Sequence, residues 1–265
     1  FEESAITDEH NILALTEGAL GGKGRGLAFV NTLIYNYDFA RHVPNINIRT
    51  PKTSIIGTDE FEYFLDRNKL RERAVFESDY TLIRRWFIEG KLTETLIRKL
   101  KLIVKQITKP LAIRSSGLFE DSQNQPFAGI FETYLIPNNH PDPGVRLEQL
   151  MDAIKLVYAS VYSPTAKGYI EAVNYRIEQE KMAVVIQEVV GNQYADVFYP
   201  HISGVAQSYN YYPFAHMKPE EGFAVAALGL GRYVVEVEKA FRFSPLYPTL
   251  EINSARDQYK GSQVY

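Results

Sequence analysis

The sequence predicts an α/β (α+β) protein whose first part is rich in helices and whose last part is rich in strands. Helix-like and strand-like patterns alternate along the chain, which is typical of this class. A length of 265 residues, with 45% hydrophobic and 23% charged residues, is enough for one large domain or two small ones. Because the last third is dominated by strand-like segments, we predict a boundary near residue 180, between segments 1–180 and 181–265.

Apolar periodicity and capping residues predict the helices. Leu27, Val30, Leu33 and Ile34 recur at the spacing of one apolar helix face after a cluster of glycines. Thr58 is a suitable N-cap for a helix over 59–65, and Ser163 followed by proline is a typical helix start. Further helices are predicted over 79–89, over 93–107, and through the stripe Leu147, Leu150, Ile154, Val157 and Val161.

Short runs rich in β-branched and aromatic residues predict the strands. The most strand-like run covers 182–190, where valine and isoleucine predominate. These apolar residues fit a plain core strand as well as they fit one wall of a ligand pocket. The other predicted strands include 54–56, 111–114, 130–136, 202–205 and 223–227.

Charge and hydropathy exclude two classes of partner. Lys and Arg number 29 against 32 Asp and Glu, a formal net charge of −3, so the chain lacks the basic footprint of a nucleic-acid-binding protein. Basic residues around the predicted 93–107 helix fall on one helix face, which we interpret as a solvated stripe. No apolar run of about 18 residues occurs. We therefore expect neither a nucleic-acid partner nor a membrane partner.

Cysteine is absent, which excludes disulfides, zinc–thiolate sites and a thiol nucleophile. This absence is typical of a reducing compartment, so we expect a cytoplasmic protein. The chain begins at Phe1 without an initiator methionine, and its acidic first residues do not form a signal peptide. We therefore expect that the sequence has been cut from a longer polypeptide.

The segment Gly21-Gly22-Lys23-Gly24-Arg25-Gly26 combines four glycines with two cations just before the first predicted helix. Glycines expose backbone N–H groups to a ligand, and a helix N-terminus favours anions. The segment does not match the Walker A motif, which needs Ser or Thr at the position of Gly24. It does not match the dinucleotide fingerprint either, because Phe29 stands where a third glycine belongs. Two interpretations stay open, a polyphosphate site and a flexible turn.

Arg114 stands at the end of the predicted 111–114 strand and is followed by two serines and a glycine. A guanidinium beside two hydroxyls can clamp a phosphate in fork geometry. Alternatively, Arg114 pairs with Glu120 or Asp121 while the serines form turns. Taken alone, these residues favour the second interpretation.

A series of short blocks along the chain is specific through its joint order. The blocks are Gly21-Gly22-Lys23, Ile113-Arg114-Ser115-Ser116, Glu120-Asp121, Phe127-Ala128-Gly129, Glu132-Thr133-Tyr134-Leu135, Ala159-Ser160-Val161-Tyr162, 184–190, Ser203-Gly204-Val205 and Gly229-Leu230-Gly231. In this order they resemble the N-terminal nucleotide-binding domain of the phosphoenolpyruvate synthase and pyruvate phosphate dikinase family. The resemblance runs from about residue 18 to about residue 240.

The resemblance implies an ATP-grasp fold, in which two lobes hold ATP between them. It implies that ATP contacts Gly22, Lys23, Arg114, Gly129, Thr133, Gln187, Glu188 and Val190. The two cations in this set, Lys23 and Arg114, would contact the phosphates and act in catalysis. Gly129 and Thr133 would lie along the triphosphate. The last three residues would line the adenine pocket, on a strand that joins the lobes.

The resemblance also implies parts that this chain does not show. In the family, the Mg²⁺ ligands and a Gln-x-Arg that completes the phosphate site lie beyond the glycine block, and no Gln-x-Arg occurs here. We therefore expect the metal ligands outside this span. The family passes a phosphoryl group to a phosphohistidine domain and uses a further domain for phosphoenolpyruvate or pyruvate. We expect both as partners within the parent chain, because no family phosphohistidine motif surrounds His10, His42, His140, His201 or His216.

Two departures from the family pattern keep a second function open. Arg232 stands where the family usually has Glu, and Glu236 stands where it has Gly. The main prediction is an ATP-binding domain of a dikinase-like phosphotransferase. The alternative is a non-catalytic ATP-grasp-like module that senses nucleotide or serves in assembly.

Overall fold

A computed structural model describes residues 12–118, 129–213, 216–229, 231, 234, 240–248, 254, 256 and 259. The chain divides into two compact units, Phe1–Val189 and Val190–Tyr265. The division falls after residue 189, whereas the sequence placed it near 180, so the strand predicted from residue 182 lies mostly in the first unit. That the two units are the lobes of a nucleotide-binding fold stays a prediction.

The first unit mixes helices with strands. Its helices are α1 (Gly21–Asn36), α2 (Thr58–Arg67), α3 (Arg71–Phe76), α4 (Tyr80–Glu89), α5 (Glu94–Gln106), α6 (Pro143–Ala159) and α7 (Pro164–Ala172). Its strands are β1 (Leu13–Ala14), β2 (Thr53–Ile56), β3 (Leu111–Gly117), β4 (Thr133–Ile136) and β5 (Met182–Glu188). In the described part of the chain, none of the helices combines the length and the hydrophobicity needed to cross a membrane.

The five strands of this unit form one sheet in the order β1-β2-β5-β3-β4. The β1–β2 pair is parallel and the other pairs are antiparallel. Because side chains alternate along a strand, the sheet has two distinct faces. Apolar residues such as Ile113 and Val184 point to the core face. Arg114, Ser116 and Gln187 point the other way, to a face that we name the α1 face because α1 lies against it.

Helices α2 to α7 contribute to the apolar core on the core face. Its centre is a group of aromatic rings in which Phe64 lies 5.5 Å from both Phe87 and Tyr158, measured between ring centroids. The predicted stripe on α6 is buried, since Leu150, Ile154 and Val157 are wholly inaccessible to solvent. Helix α5 buries its apolar face and exposes Arg98, Lys101 and Lys105, which confirms the interpretation of that stripe as solvated.

Helix α1 begins at Gly21, so the glycine-rich segment forms its first turns and is not a turn before it. The buried residues of α1 include Gly21, Gly24 and Asn31. Of the predicted apolar face, Leu27 and Ile34 are half-buried, while Val30 and Leu33 are 45% and 49% exposed. The apolar face and the buried face of this helix therefore coincide only in part. Glycines let a backbone approach its neighbour closely, and a Cβ added at Gly24 would lie 3.1 Å from the Ile55 side chain.

The sequence predicted Thr58 as the N-cap of α2, and this prediction was wrong. The cap position is Gly57, and Thr58 is the first residue of the helix. The Thr58 hydroxyl accepts a hydrogen bond from the backbone N–H of Ala19 at 3.0 Å. The helix start is thus tied to the segment before α1 by a contact that no local pattern could reveal. The predicted cap at Ser163 is confirmed, because its hydroxyl accepts from the N–H of Ala166.

The second unit contains two antiparallel sheets. Strands β6 (Asn192–Tyr194) and β7 (Val197–Tyr199) form a hairpin. Strands β8 (Ile202–Gln207), β9 (Phe223–Leu228) and β10 (Phe241–Phe243) form a sheet in the order β10-β9-β8. The strands predicted over 202–205 and 223–227 are confirmed and are slightly longer than predicted.

Candidate functional site

Ser116 joins the glycine-rich segment to the strand that carries Arg114. Its hydroxyl donates a hydrogen bond to the Leu20 carbonyl at 2.8 Å and accepts one from the Gly24 N–H at 3.0 Å. Leu20 is the N-cap position, so its carbonyl and the Gly24 N–H are the first i, i+4 pair of the helix. The Ser116 hydroxyl, which lies 92 residues further along the chain than Gly24, bonds to both members of this pair.

Gly21 makes this close contact possible. Its φ of +68° lies in the left-handed region that favours glycine. A Cβ at this position would lie 1.9 Å from the Ser116 carbonyl oxygen, which no side chain can tolerate. The glycine is thus required by the packing of α1 on β3. Close packing accounts for this glycine without a ligand, although it leaves open what the rest of the segment binds.

Lys23 lies in the first turn of α1 and is half-buried. Its backbone neighbours, Gly22 and Gly24, are both buried. Lys23 is therefore a cationic residue at the positive end of α1, in the turn that Ser116 contacts. This end of the helix combines two features that favour an anion.

Arg114 is held by a short series of polar side chains on the α1 face. Its Nη1 donates to Gln187 Oε1 at 3.3 Å, and Gln187 Nε2 donates to the Thr53 hydroxyl at 3.0 Å. The hydroxyl of Thr53 donates in turn to the Pro51 carbonyl at 2.8 Å. These contacts join β3, β5 and β2, so the guanidinium has a defined position. Glu120 and Asp121, the alternative partners, lie outside the described residues.

Thr133 stands directly opposite Arg114 in the β3–β4 pair. Residues opposite each other in an antiparallel pair share a face of the sheet, so Thr133 also belongs to the α1 face. It is exposed, while Arg114 is half-buried. The structure thus brings together Arg114, Thr133 and Gln187, and the Ser116 contact adds the start of α1 with Gly22 and Lys23.

The other predicted residues have different surroundings. The Glu188 side chain is on the core-face side of β5, at the edge of the unit, and its Oε1 accepts from Lys109 Nζ at 2.7 Å. Val190 is the first residue of the second unit and is exposed. Gly129 has a φ of +76°, and a Cβ there would meet nothing within 4 Å. The roles of these three residues stay predictions.

A polar cluster behind β4 was not assigned any role from the sequence. Glu132 accepts hydrogen bonds from the Tyr80 hydroxyl at 2.9 Å, from Arg84 Nη1 at 3.3 Å, and from the Tyr134 hydroxyl. Burial and the bond to Glu132 raise the pKa of Tyr134 to about 12. The Glu132 block was noticed as part of the resemblance, but its partners on α4 lie about 50 residues away and leave no local signal.

The part of the chain that the structure describes contains no group of three or more His, Cys, Asp or Glu side chains placed to hold a metal ion. The described part therefore does not by itself fit a protein-only Mg²⁺ site.

A family model for the AMP/ATP-binding domain of pyruvate phosphate dikinase matches residues 17–252 of this chain. The match covers both structural units. The chain belongs to this family. The resemblance inferred from the short blocks is thereby confirmed, and the mixed α/β architecture agrees with it.

Curated relatives agree with the dikinase family. An uncharacterized phosphotransferase of Bacillus subtilis, YvkC, is 27% identical over 188 residues, which cover 70% of this chain and 20% of the relative. A phosphoenolpyruvate synthase of Deinococcus radiodurans is 26% identical over 211 residues, covering 72% and 24%. One from Aeropyrum pernix is 29% identical over 131 residues, covering 47% and 15%. The chain thus spans about a fifth of the length of these relatives.

Membership of the dikinase family makes the chain an ATP-binding domain of the dikinase type. Which of the predicted residues touch ATP stays a prediction.

Proposed function

We propose that the chain is an ATP-grasp domain that holds the ATP triphosphate between the start of α1 and the Arg114 strand. In the parent enzyme, a phosphoryl group would pass from ATP to a histidine on another domain, and a further domain would handle phosphoenolpyruvate or pyruvate. The observation that carries the proposal is the double hydrogen bond of Ser116. It fixes the segment with Lys23 against the strand with Arg114.

The chemistry asks little of the protein beyond placement and charge. Phosphoryl transfer depends mostly on positioning and on electrostatic stabilisation of the transferring group. Lys23 and Arg114 would hold the phosphates, with Arg114 kept in place by Gln187. Thr133, opposite Arg114, would line the same side, and the backbone at Gly129 would lie along the triphosphate. Mg²⁺ would neutralise phosphate oxygens, and we assign it no ligand among the described residues.

The proposal can be tested by calorimetry of ATP binding to the protein and to K23A and R114A. A charge-assisted hydrogen bond contributes about 1.5–3 kcal/mol, so each variant should bind ATP at least about tenfold more weakly. The control is R85A, because Arg85 pairs only with its own helix neighbour Glu89 among its described ion pairs and is 74% exposed. Unchanged ATP affinity in both K23A and R114A would reject the phosphate assignment.

A second experiment separates the enzyme from the non-catalytic module, which the residues Arg232 and Glu236 favour. The parent protein is incubated with β-labelled and γ-labelled ATP, and acid-labile label on the protein is measured. The enzyme should acquire label, since a phosphohistidine is acid-labile. ATP binding without any label would favour the sensing or assembly module.

A further inference from the structure

Successive side chains at the start of β4 point to opposite faces of the sheet. Thr133 points to the α1 face, opposite Arg114. Its neighbours Glu132 and Tyr134 point to the helix-covered side, because side chains alternate along a strand. There they meet Tyr80 and Arg84 of α4. A residue on α4 can therefore influence the proposed ATP site without touching it.

Hydrogen bonds join Glu132, Tyr134, Tyr80 and Arg84 in one network. Arg84 Nη1 donates to the Tyr134 hydroxyl at 3.0 Å and to Glu132 Oε2 at 3.3 Å, while the Tyr80 hydroxyl donates to Glu132 Oε1 at 2.9 Å. Both carboxylate oxygens are thus engaged. The Arg84 guanidinium also lies 5.7 Å from the centroid of the Tyr80 ring. This hydrogen-bond network fixes the orientation of the Glu132 carboxylate relative to α4.

β4 needs such an anchor at its start. Among the described residues it is an edge strand of four residues that pairs only with β3. Three residues before Glu132, Gly129 adopts a positive φ of +76°. Glu132 therefore lies between the turn at Gly129 and the paired strand. The ion pair is partly exposed, with 38% and 31% of the two side chains accessible, so its value lies in geometry more than in stability.

We infer that Arg84 is a positioning residue for the triphosphate side of the site, acting through Glu132. By holding Glu132, Arg84 keeps Thr133 and the turn at Gly129 in the geometry that the phosphates require. The inference rests on the proposed ATP-binding function. It predicts a specific defect, because the residues predicted to line the adenine pocket, Gln187, Glu188 and Val190, are not on β4.

The test compares R84A with R85A, since these are neighbouring arginines on α4 and both form an ion pair. Arg84 reaches β4, whereas Arg85 pairs with Glu89 on its own helix. Calorimetry measures the binding of ATP and of adenosine. We expect R84A to bind ATP about tenfold more weakly, since small displacements of positioned groups can cost up to about a hundredfold. Adenosine affinity should change less than about twofold on the same grounds, and R85A should match the wild type for both ligands.

A double-mutant cycle with E132Q tests whether Arg84 acts through Glu132. If it does, R84A and E132Q together should weaken ATP binding about as much as either alone, because residues in one network are not additive. Y80F is a milder variant that removes only the hydroxyl donated to Glu132. Y80F should weaken ATP binding less than R84A does, and it should again affect ATP binding more than adenosine binding. Because Y80F changes less of the structure, the same pattern in this variant shows that the loss in R84A is not a folding defect.

The outcomes separate this inference from the proposed function. ATP affinity of R84A equal to that of R85A, with R114A still defective, overturns the positioning role alone. An equal loss of ATP and adenosine affinity in R84A and in Y80F also overturns it, since that pattern indicates a general structural effect. Failure of the wild-type protein to bind ATP overturns the proposed function and the inference with it.

Discussion

The two faces of the five-stranded sheet in the first unit are built from the same strands but by different means. On β3, Ile113 is buried among the helices of the core face, while the next residue, Arg114, lies on the α1 face. The core face is held by apolar burial. The α1 face is held by directed hydrogen bonds, such as those of Ser116 and Gln187. Because side chains alternate along β3, residues that stabilise the core and residues proposed to contact the ligand follow one another in the same strand.

The difference teaches that each face tolerates a different kind of change. Apolar burial has no direction and depends on how much surface is removed from water. The hydrogen bonds of the α1 face depend on donor and acceptor positions, and a buried polar group that loses its partner is costly. Substitutions on the core face should therefore change stability, whereas substitutions on the α1 face should change ligand binding as well.

Phe64→Ala in the core should have the largest effect, and it tests whether the core face determines stability without affecting ATP binding. Phe64 is 1% exposed and contacts the rings of Phe87 and Tyr158. Removing a buried aromatic ring costs about 3–5 kcal/mol because a cavity remains. Chemical denaturation should show a loss of this size. At temperatures where the variant is folded, its ATP affinity should equal that of the wild type; a specific loss of ATP affinity would show that the two faces are not separate.

A smaller effect on stability, with a larger effect on binding, is expected for Ser116→Ala. The substitution removes the two hydrogen bonds that join β3 to the Gly24 N–H and to the Leu20 carbonyl. The loss of unfolding free energy should be about 1–3 kcal/mol, since each hydrogen bond contributes about 0.5–1.5 kcal/mol. ATP affinity should fall as well, since the start of α1 would no longer be held against β3.

The matched control for this variant is Ser163→Ala, which removes the cap of α7 away from the α1 face. It should cost about 1 kcal/mol of stability and leave ATP affinity unchanged. If Ser116→Ala and Ser163→Ala reduce stability equally and neither affects ATP binding, the Ser116 contact is structural only.

The sequence predicted the core face better than the α1 face, and the reason is physical. The α5 and α6 stripes and the cap at Ser163 are local patterns, and all were confirmed. Ser116 bonds to the first turn of α1 across 92 residues and Arg84 reaches Glu132 across 48, so neither contact leaves a local pattern. Local patterns made Lys23 and Arg114 candidates with two interpretations each, and the family resemblance chose between them. Thr133 and Gln187 were found only through the resemblance, which names residues but not their partners.

Helix α1 shows the limit of local reasoning most clearly. Its apolar spacing predicted one apolar helix face, but a helix can approach a strand more closely through glycines than through leucines. Gly21 lies against Ser116 and Gly24 lies against Ile55. Apolar periodicity alone could not show that Val30 and Leu33 are exposed.

The smallest effect on stability is expected for Phe29→Ala. This variant makes the same substitution as Phe64→Ala, but at an exposed position. Phe29 lies on the outward side of α1 and is 64% exposed. An exposed position leaves no cavity, so the unfolding free energy should change by less than about 0.5 kcal/mol. Chemical denaturation beside Phe64→Ala measures the contrast directly. A loss as large as that of Phe64→Ala would mean that the glycine side of α1 does not face the sheet, and the Ser116 contact would then have to be reassigned.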